Sequence, residues 1–218
     1  MNPSPTPRRC RIVLITPPGV AADILRERLD AALEGGDVAS LIVPQYDLSD
    51  EAFQLLAESL VPPAQAAGAA VMLAGDSRVA GRVGADGLHV EGNLQAIGEA
   101  IEKHQGHMMI GVGDVKDRDG ALALGELRPD YIFFGRFGYD NKPEPHQRNL
   151  GLGEWWAEMI EIPCIVLAGS DLASVDAVAA TGAEFVALGN AVFGEGVDAR
   201  EAVRLANQRL DASAPAAN

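Results

Sequence analysis

The sequence predicts a (β/α)8 barrel, and three observations carry the prediction. Eight short apolar runs recur along the 218 residues. Segments with helical periodicity separate them, and strand starts recur about 17 to 33 residues apart, one βα unit each. The runs are mostly apolar without clean alternation, as expected for parallel strands covered on both faces. A doubly wound open sheet is the rival, but the units are evenly spaced and show neither a reversal nor a domain linker.

The expected strands are Arg11–Ile15, Val38–Val43, Ala69–Leu73, Gly87–Val90, Met108–Val112, Tyr131–Phe134, Cys164–Leu167 and Phe185–Leu188. The first helix, Ala21–Leu33, aligns Ile24, Leu25, Leu29 and Leu33 on one stripe and stops at Gly35-Gly36. Ser49 or Asp50 caps the second, which carries Phe53, Leu56, Ala57 and Leu60. Further helices are expected at Ser77–Val83, Leu94–Lys103, Asp117–Leu127, Leu152–Ile160, Leu172–Ala180 and Val197–Leu210. Gly68-Ala69, Gly84-Ala85 and Gly182-Ala183 each precede a strand, with Pro129-Asp130 standing in once. There glycine ends a helix in the left-handed region, and alanine lets the chain enter the barrel. Residues 1–10 and 211–218 read as flexible tails flanking one barrel domain, 11–210.

Composition excludes several classes. Seventeen basic against thirty-one acidic residues give a net charge of -14, which argues against sequence-independent nucleic-acid binding. Cys10 and Cys164 form neither a disulfide framework nor a metal-ligand spacing. No run approaches the ~18 apolar residues of a membrane span, and the apolar run after the proline-rich start is too short for a signal peptide. A soluble cytoplasmic protein without membrane or nucleic-acid partners is expected. Homo-oligomerisation stays open.

Active sites of this architecture lie at the C-terminal ends of the strands. After the seventh and eighth strands, Gly169-Ser170 and Gly189-Asn190 are small and leave backbone N–H groups free for a phosphate. Arg136 and Lys142 lie in a long segment after the sixth strand, read as a loop and potential lid from Gly135 to Leu150, and could neutralise a pyrophosphoryl group. Asp76, Glu91 and Asn93 could converge as oxygen ligands of Mg²⁺, although Asp76 also reads as a helix cap. His89 reads as a hydrogen-bonded core histidine. His104, His107 and His146 show no ligand spacing.

Gly84-Ala85-Asp86-Gly87-Leu88-His89-Val90, Ile110-Gly111-Val112, Pro129-Asp130-Tyr131-Ile132, Ile162-Pro163 before Gly169, and Gly182 to Ala187 stand in the order and at about the spacing of one family. Through them the chain resembles the thiamine phosphate synthases and their thiazole tautomerase relatives. The resemblance implies a barrel that joins aminopyrimidine pyrophosphate to thiazole phosphate and releases pyrophosphate. It implies Mg²⁺ with Asp76 as a metal aspartate, Lys142 on the pyrophosphate, Gly169 in the phosphate turn, and small phosphorylated substrates as partners. A member that binds a thiazole or thiamine phosphate without turnover, or an isomerase of the thiazole phosphate, is the alternative. The sequence departs from the family where the second strand ends: Val43-Pro44-Gln45-Tyr46 replaces the usual arginine and lysine, and no cation occurs between Arg28 and Arg78.

Overall fold

The computed structural model describes residues 9–214; of the expected tails 1–10 and 211–218, residues 1–8 and 215–218 lie outside the described residues. Eight parallel strands close in sequence order, β1 (Arg11–Ile15) pairing with β2 (Ser40–Pro44) on one side and β8 (Phe185–Leu188) on the other. Between them stand β3 (Ala70–Ala74), β4 (Gly87–Val90), β5 (Met109–Val112), β6 (Tyr131–Phe134) and β7 (Cys164–Leu167). The connecting helices are α1 (Ala22–Leu33), α2 (Asp50–Ala66), α3 (Ser77–Val83), α4 (Leu94–His104), α5 (Arg118–Glu126), α6 (Gln147–Met159) and α7 (Ser174–Ala179). A short α8 (Asn190–Phe193) and the long α9 (Ala199–Ser213) follow the last strand. The expected closed barrel is therefore the fold.

The lack of alternation in the strands has a direct cause, because all but β4 and β5 feed two dry layers. Ile12 and Leu14 of β1 join the shell between barrel and helices, while Val13 and Ile15 join the inner core. Cys164 and Val166 against Ile165 and Leu167 repeat this on β7. Tyr131 and Phe133 fill the interior from β6. The helix-ending glycines behave as expected, with φ of 85° at Gly68, 68° at Gly84 and 81° at Gly182. Before Pro129, where glycine is missing, Arg128 itself takes the left-handed region at 55°.

Beyond shifts of one or two residues elsewhere, three differences from expectation each have a local reason. α6 begins at Gln147 rather than Leu152, because the His146 ring caps it, Nδ1 accepting from the Arg148 N–H at 3.2 Å. The loop after β6 is correspondingly shorter than expected. The turn after β8 adds α8, which starts directly at Asn190. At the end of the barrel domain, α9 runs past Leu210 to Ser213 and is tied to the entering chain: Arg9 donates to Asp211 at 2.6 Å and to the Asn207 side chain at 2.8 Å. Among the described residues no helix is long and apolar enough to cross a membrane.

Candidate functional site

The barrel mouth holds an inner cavity of about 430 Å³ lined by Tyr46, His89, Glu91, Arg136 and Phe137, among others. Its floor follows from strand register. His89 pairs with Gly111, and Gly111 with Tyr131. With no side chain at Gly111, where a Cβ would overlap the Tyr131 ring, the hydroxyl crosses β5 to within 2.9 Å of His89 Nδ1. Gly113 keeps the next rung open in the same way: a Cβ there would lie 2.7 Å from His89 Nε2 and 2.9 Å from Glu91 Oε1.

That hydrogen bond fixes a tautomer. Burial, then the negative charge of Glu91, pushes the Tyr131 phenol well above its usual range, so it stays protonated. A buried O–H without an acceptor is costly, and His89 Nδ1 is its one partner among the described residues. The hydroxyl therefore donates to Nδ1, which places the imidazole hydrogen on Nε2. Nε2 is buried, has no hydrogen-bond partner among the described residues, and stands 3.5 Å from Glu91 Oε1. His89 is thus the hydrogen-bonded core residue the sequence suggests, and also a donor at the cavity wall. Phe137 meets its ring edge-on at 4.9 Å.

An outer cavity of about 700 Å³ opens beside the segment joining β6 to α6. Arg136, Lys142 and Arg148 all line it, and Arg136 also lines the inner one. The Arg136 guanidinium stacks on Tyr139, 3.9 Å from the ring centroid. Asn149, 6% exposed, lines the same space. Sequence reasoning singled out Lys142 and Arg136 but neither Arg148 nor Asn149. Only the early start of α6 brings those two to the cavity.

The expected phosphate cradle is filled by the chain itself. At the strand-eight corner the Asn190 N–H donates to Asp140 Oδ2 at 2.5 Å, and the Asn190 amide donates to Oδ1 at 3.2 Å. A Cβ on Gly189 would lie 2.6 Å from that carboxylate. At the strand-seven corner the Gly169 N–H donates to Ser174 Oγ at 3.0 Å and the Ser170 N–H to the Lys142 carbonyl at 2.7 Å. Gly169, Ser170, Gly189 and Asn190 therefore present no bare amide pair of the expected kind. Four donors have found protein oxygens, three of them supplied by the segment carrying Lys142 and one by Ser174 of α7.

The three expected metal ligands are likewise engaged or apart. Asp76 caps α3, accepting from the Arg78 N–H at 2.8 Å, and pairs with the Arg78 side chain. That guanidinium holds its carboxyl down at about 2. Asn93 caps α4 by accepting from the Ala96 N–H at 2.9 Å. Glu91 alone faces the cavity. Among the described residues no group of three or more His, Cys, Asp or Glu stands close enough to hold a metal ion. The residues present do not fit Mg²⁺ as a set, because Asp76 and Asn93 are engaged as helix caps and Glu91 is left alone at the cavity.

Comparison with known proteins gives consistent results. The family described as thiamine monophosphate synthase matches residues 12–192. A thiamine-phosphate synthase of Rhodospirillum centenum is 33% identical over 84% of this chain and 89% of its own. One from Thioalkalivibrio sulfidiphilus is 30% identical over 92% and 96%. Among solved structures, a thiamine phosphate pyrophosphorylase from Pyrococcus furiosus superposes with a TM-score of 0.79 at 20% identity, covering 95% of this chain and 98% of the other. A 3-hexulose-6-phosphate synthase superposes at 0.67, covering 93% and 99%. These two likenesses bear on the fold.

Proposed function

Since the chain belongs to the thiamine monophosphate synthase family, we propose that it is a thiamine-phosphate synthase-type transferase of the cytoplasm. In this reading an aminopyrimidine methyl group is passed from pyrophosphate to the nitrogen of a thiazole phosphate. The carbon–oxygen bond breaks with its electron pair leaving on pyrophosphate, and the nitrogen lone pair forms the new carbon–nitrogen bond.

The observation that carries the reading at this site is that Arg136 lines both cavities. A heteroaromatic ring fits the inner cavity against Phe137 and Tyr46, and a leaving group attached to it would point toward Arg136 and the outer space. The guanidinium would meet negative charge as it develops on the departing oxygen, and the enclosed aromatic wall would limit capture by water. His89 Nε2–H and Glu91 would orient the ring by offering a donor and an acceptor side by side. No step is assigned to Mg²⁺, because Asp76 and Asn93 are committed elsewhere.

The test is turnover. Both substrates are incubated with the protein, pyrophosphate release is followed by a coupled assay, and the product is identified by mass. Arg136→Ala should lower kcat/KM by roughly 10²–10³, the usual effect of removing one preorganised donor from developing charge. Absence of turnover at high enzyme concentration, with neither substrate bound, would overturn the reading.

A further inference from the structure

We propose that a further cavity, at the N-terminal ends of the barrel strands, binds a small neutral aromatic molecule and is coupled through Tyr131 to His89 at the mouth. The proposal is independent of the transferase reading, because it concerns the opposite end of the barrel.

The cavity measures about 230 Å³. The interior of such a barrel is ordinarily filled by layers of bulky side chains, and the residues here explain why space is left. Ser40 and Ala70, which open β2 and β3, are small. Gly87, which opens β4, has no side chain, and Met72 takes up its place: a Cβ there would lie 2.5 Å from Met72 Cε. Met109 lines the cavity and is 39% exposed, so a ligand can enter from solvent.

The lining selects the occupant. Met72, Met109, Phe185 and the Tyr131 ring supply two thioethers and two aromatic groups, whose mutual contacts favour a flat π system. The charged residues around it are already engaged. Arg11 donates to both oxygens of Asp37, at 2.8 and 2.7 Å, and Asp130 accepts from the Ile110 N–H at 2.6 Å. An ionised ligand would lose its hydration there without gaining a free counter-charge, whereas a neutral one recovers dispersion contacts that the void forfeits. Dry apolar cavities of about 150 Å³ take up benzene, and drug-sized ligands occupy roughly 300 Å³ or more. The volume here lies between the two and suits one or two fused rings.

Tyr131 joins this space to the mouth. Its ring lines the lower cavity, and its hydroxyl crosses Gly111 to lie 2.9 Å from His89 Nδ1. His89 in turn lines the inner cavity. A molecule packed on the ring holds the hydroxyl, and through it the imidazole, so occupancy at one end biases ring orientation at the other.

The experiment titrates indole, as probe, into the full chain by calorimetry and NMR. One saturable site is expected, with a Kd on the order of 10⁻⁴–10⁻³ M for a ligand of so few atoms. The His89 imidazole signal should shift along the same isotherm. Ser40→Phe fills the space and Met109→Trp, at an exposed position that tolerates bulk, obstructs its opening; each should weaken binding about tenfold or more. Tyr131→Phe keeps the ring, so Kd should stay within about threefold while the shift at His89 disappears. Met159→Ala, on the exposed face of α6, should leave Kd unchanged and so exclude surface binding. Circular dichroism establishes that each variant is folded. No saturable binding, or an unaltered Kd in folded Ser40→Phe and Met109→Trp, overturns the site. Binding that leaves the His89 signal of the native protein unmoved overturns the coupling. A dimer that indole dissociates in light scattering would assign this end to a second copy of the chain and overturn the small-molecule role.

Discussion

The carboxylate of Asp140 sits 2.5 Å from the backbone N–H of Asn190, so a loop residue from one βα unit caps the start of the short helix two units later. Asp140 is 7% exposed, and both its oxygens are used on Asn190.

Asp140→Ala therefore leaves two partly buried donors without an acceptor. It should cost about 1–3 kcal/mol, read in calorimetry as a melting temperature several degrees lower. Asp140→Asn keeps one acceptor and should lose less. An unchanged melting temperature in the alanine variant would mean that the corner is not held by this contact in solution.

Gly111→Ala places a methyl group against the Tyr131 ring between two paired strands. Overpacking of this kind costs about 1–3 kcal/mol, and here it must also displace the hydroxyl from His89. Chemical denaturation should show the loss of stability, and the imidazole NMR signal of His89 should shift with it. If the spectrum is unchanged, the tautomer assignment loses its support.

Burial, then the Glu184 charge, pushes the Cys10 thiol up to about 12, and the same two causes raise Cys164. In the unfolded chain these thiols ionise near their ordinary value of 9.0. The raised folded values give stability that is complete below about pH 9 and is lost as pH climbs toward 12, at up to about 1.4 kcal/mol per thiol per pH unit. Urea unfolding at pH 8, 9 and 10 should trace this decline. A Cys10→Ala, Cys164→Ala double variant should have a visibly flatter profile; an equally steep one would place the effect elsewhere.

Asp76 gives a prediction that separates a cap from a metal ligand. Asp76→Ala should cost about 1 kcal/mol through the lost cap of α3. Adding Mg²⁺ should raise the melting temperature of neither the native protein nor the variant. A Mg²⁺-dependent rise that disappears with Asp76 would restore the metal role.

The barrel was legible because its signals are local. Apolar runs at one-unit spacing, and glycines at 68, 84 and 182 needing positive φ, are written in neighbouring residues. The cap at Asp76 was also within reach, since its partner N–H is two residues away. The start of α6 was missed because histidine is a weak cap by propensity, and it works here through one ring nitrogen.

Sequence alone settled the closed parallel barrel and its two-layer core, products of periodicity and spacing, and its motif blocks carried the resemblance to the family. Only the tertiary structure decided which groups remain available at the mouth. Free amides at Gly169 and Asn190 look identical in sequence whether they face solvent or another loop. The partners of the Ser170 and Asn190 N–H groups, Lys142 and Asp140, lie 28 and 50 residues away. A hydrogen bond is satisfied by distance in space, and no local pattern encodes that distance.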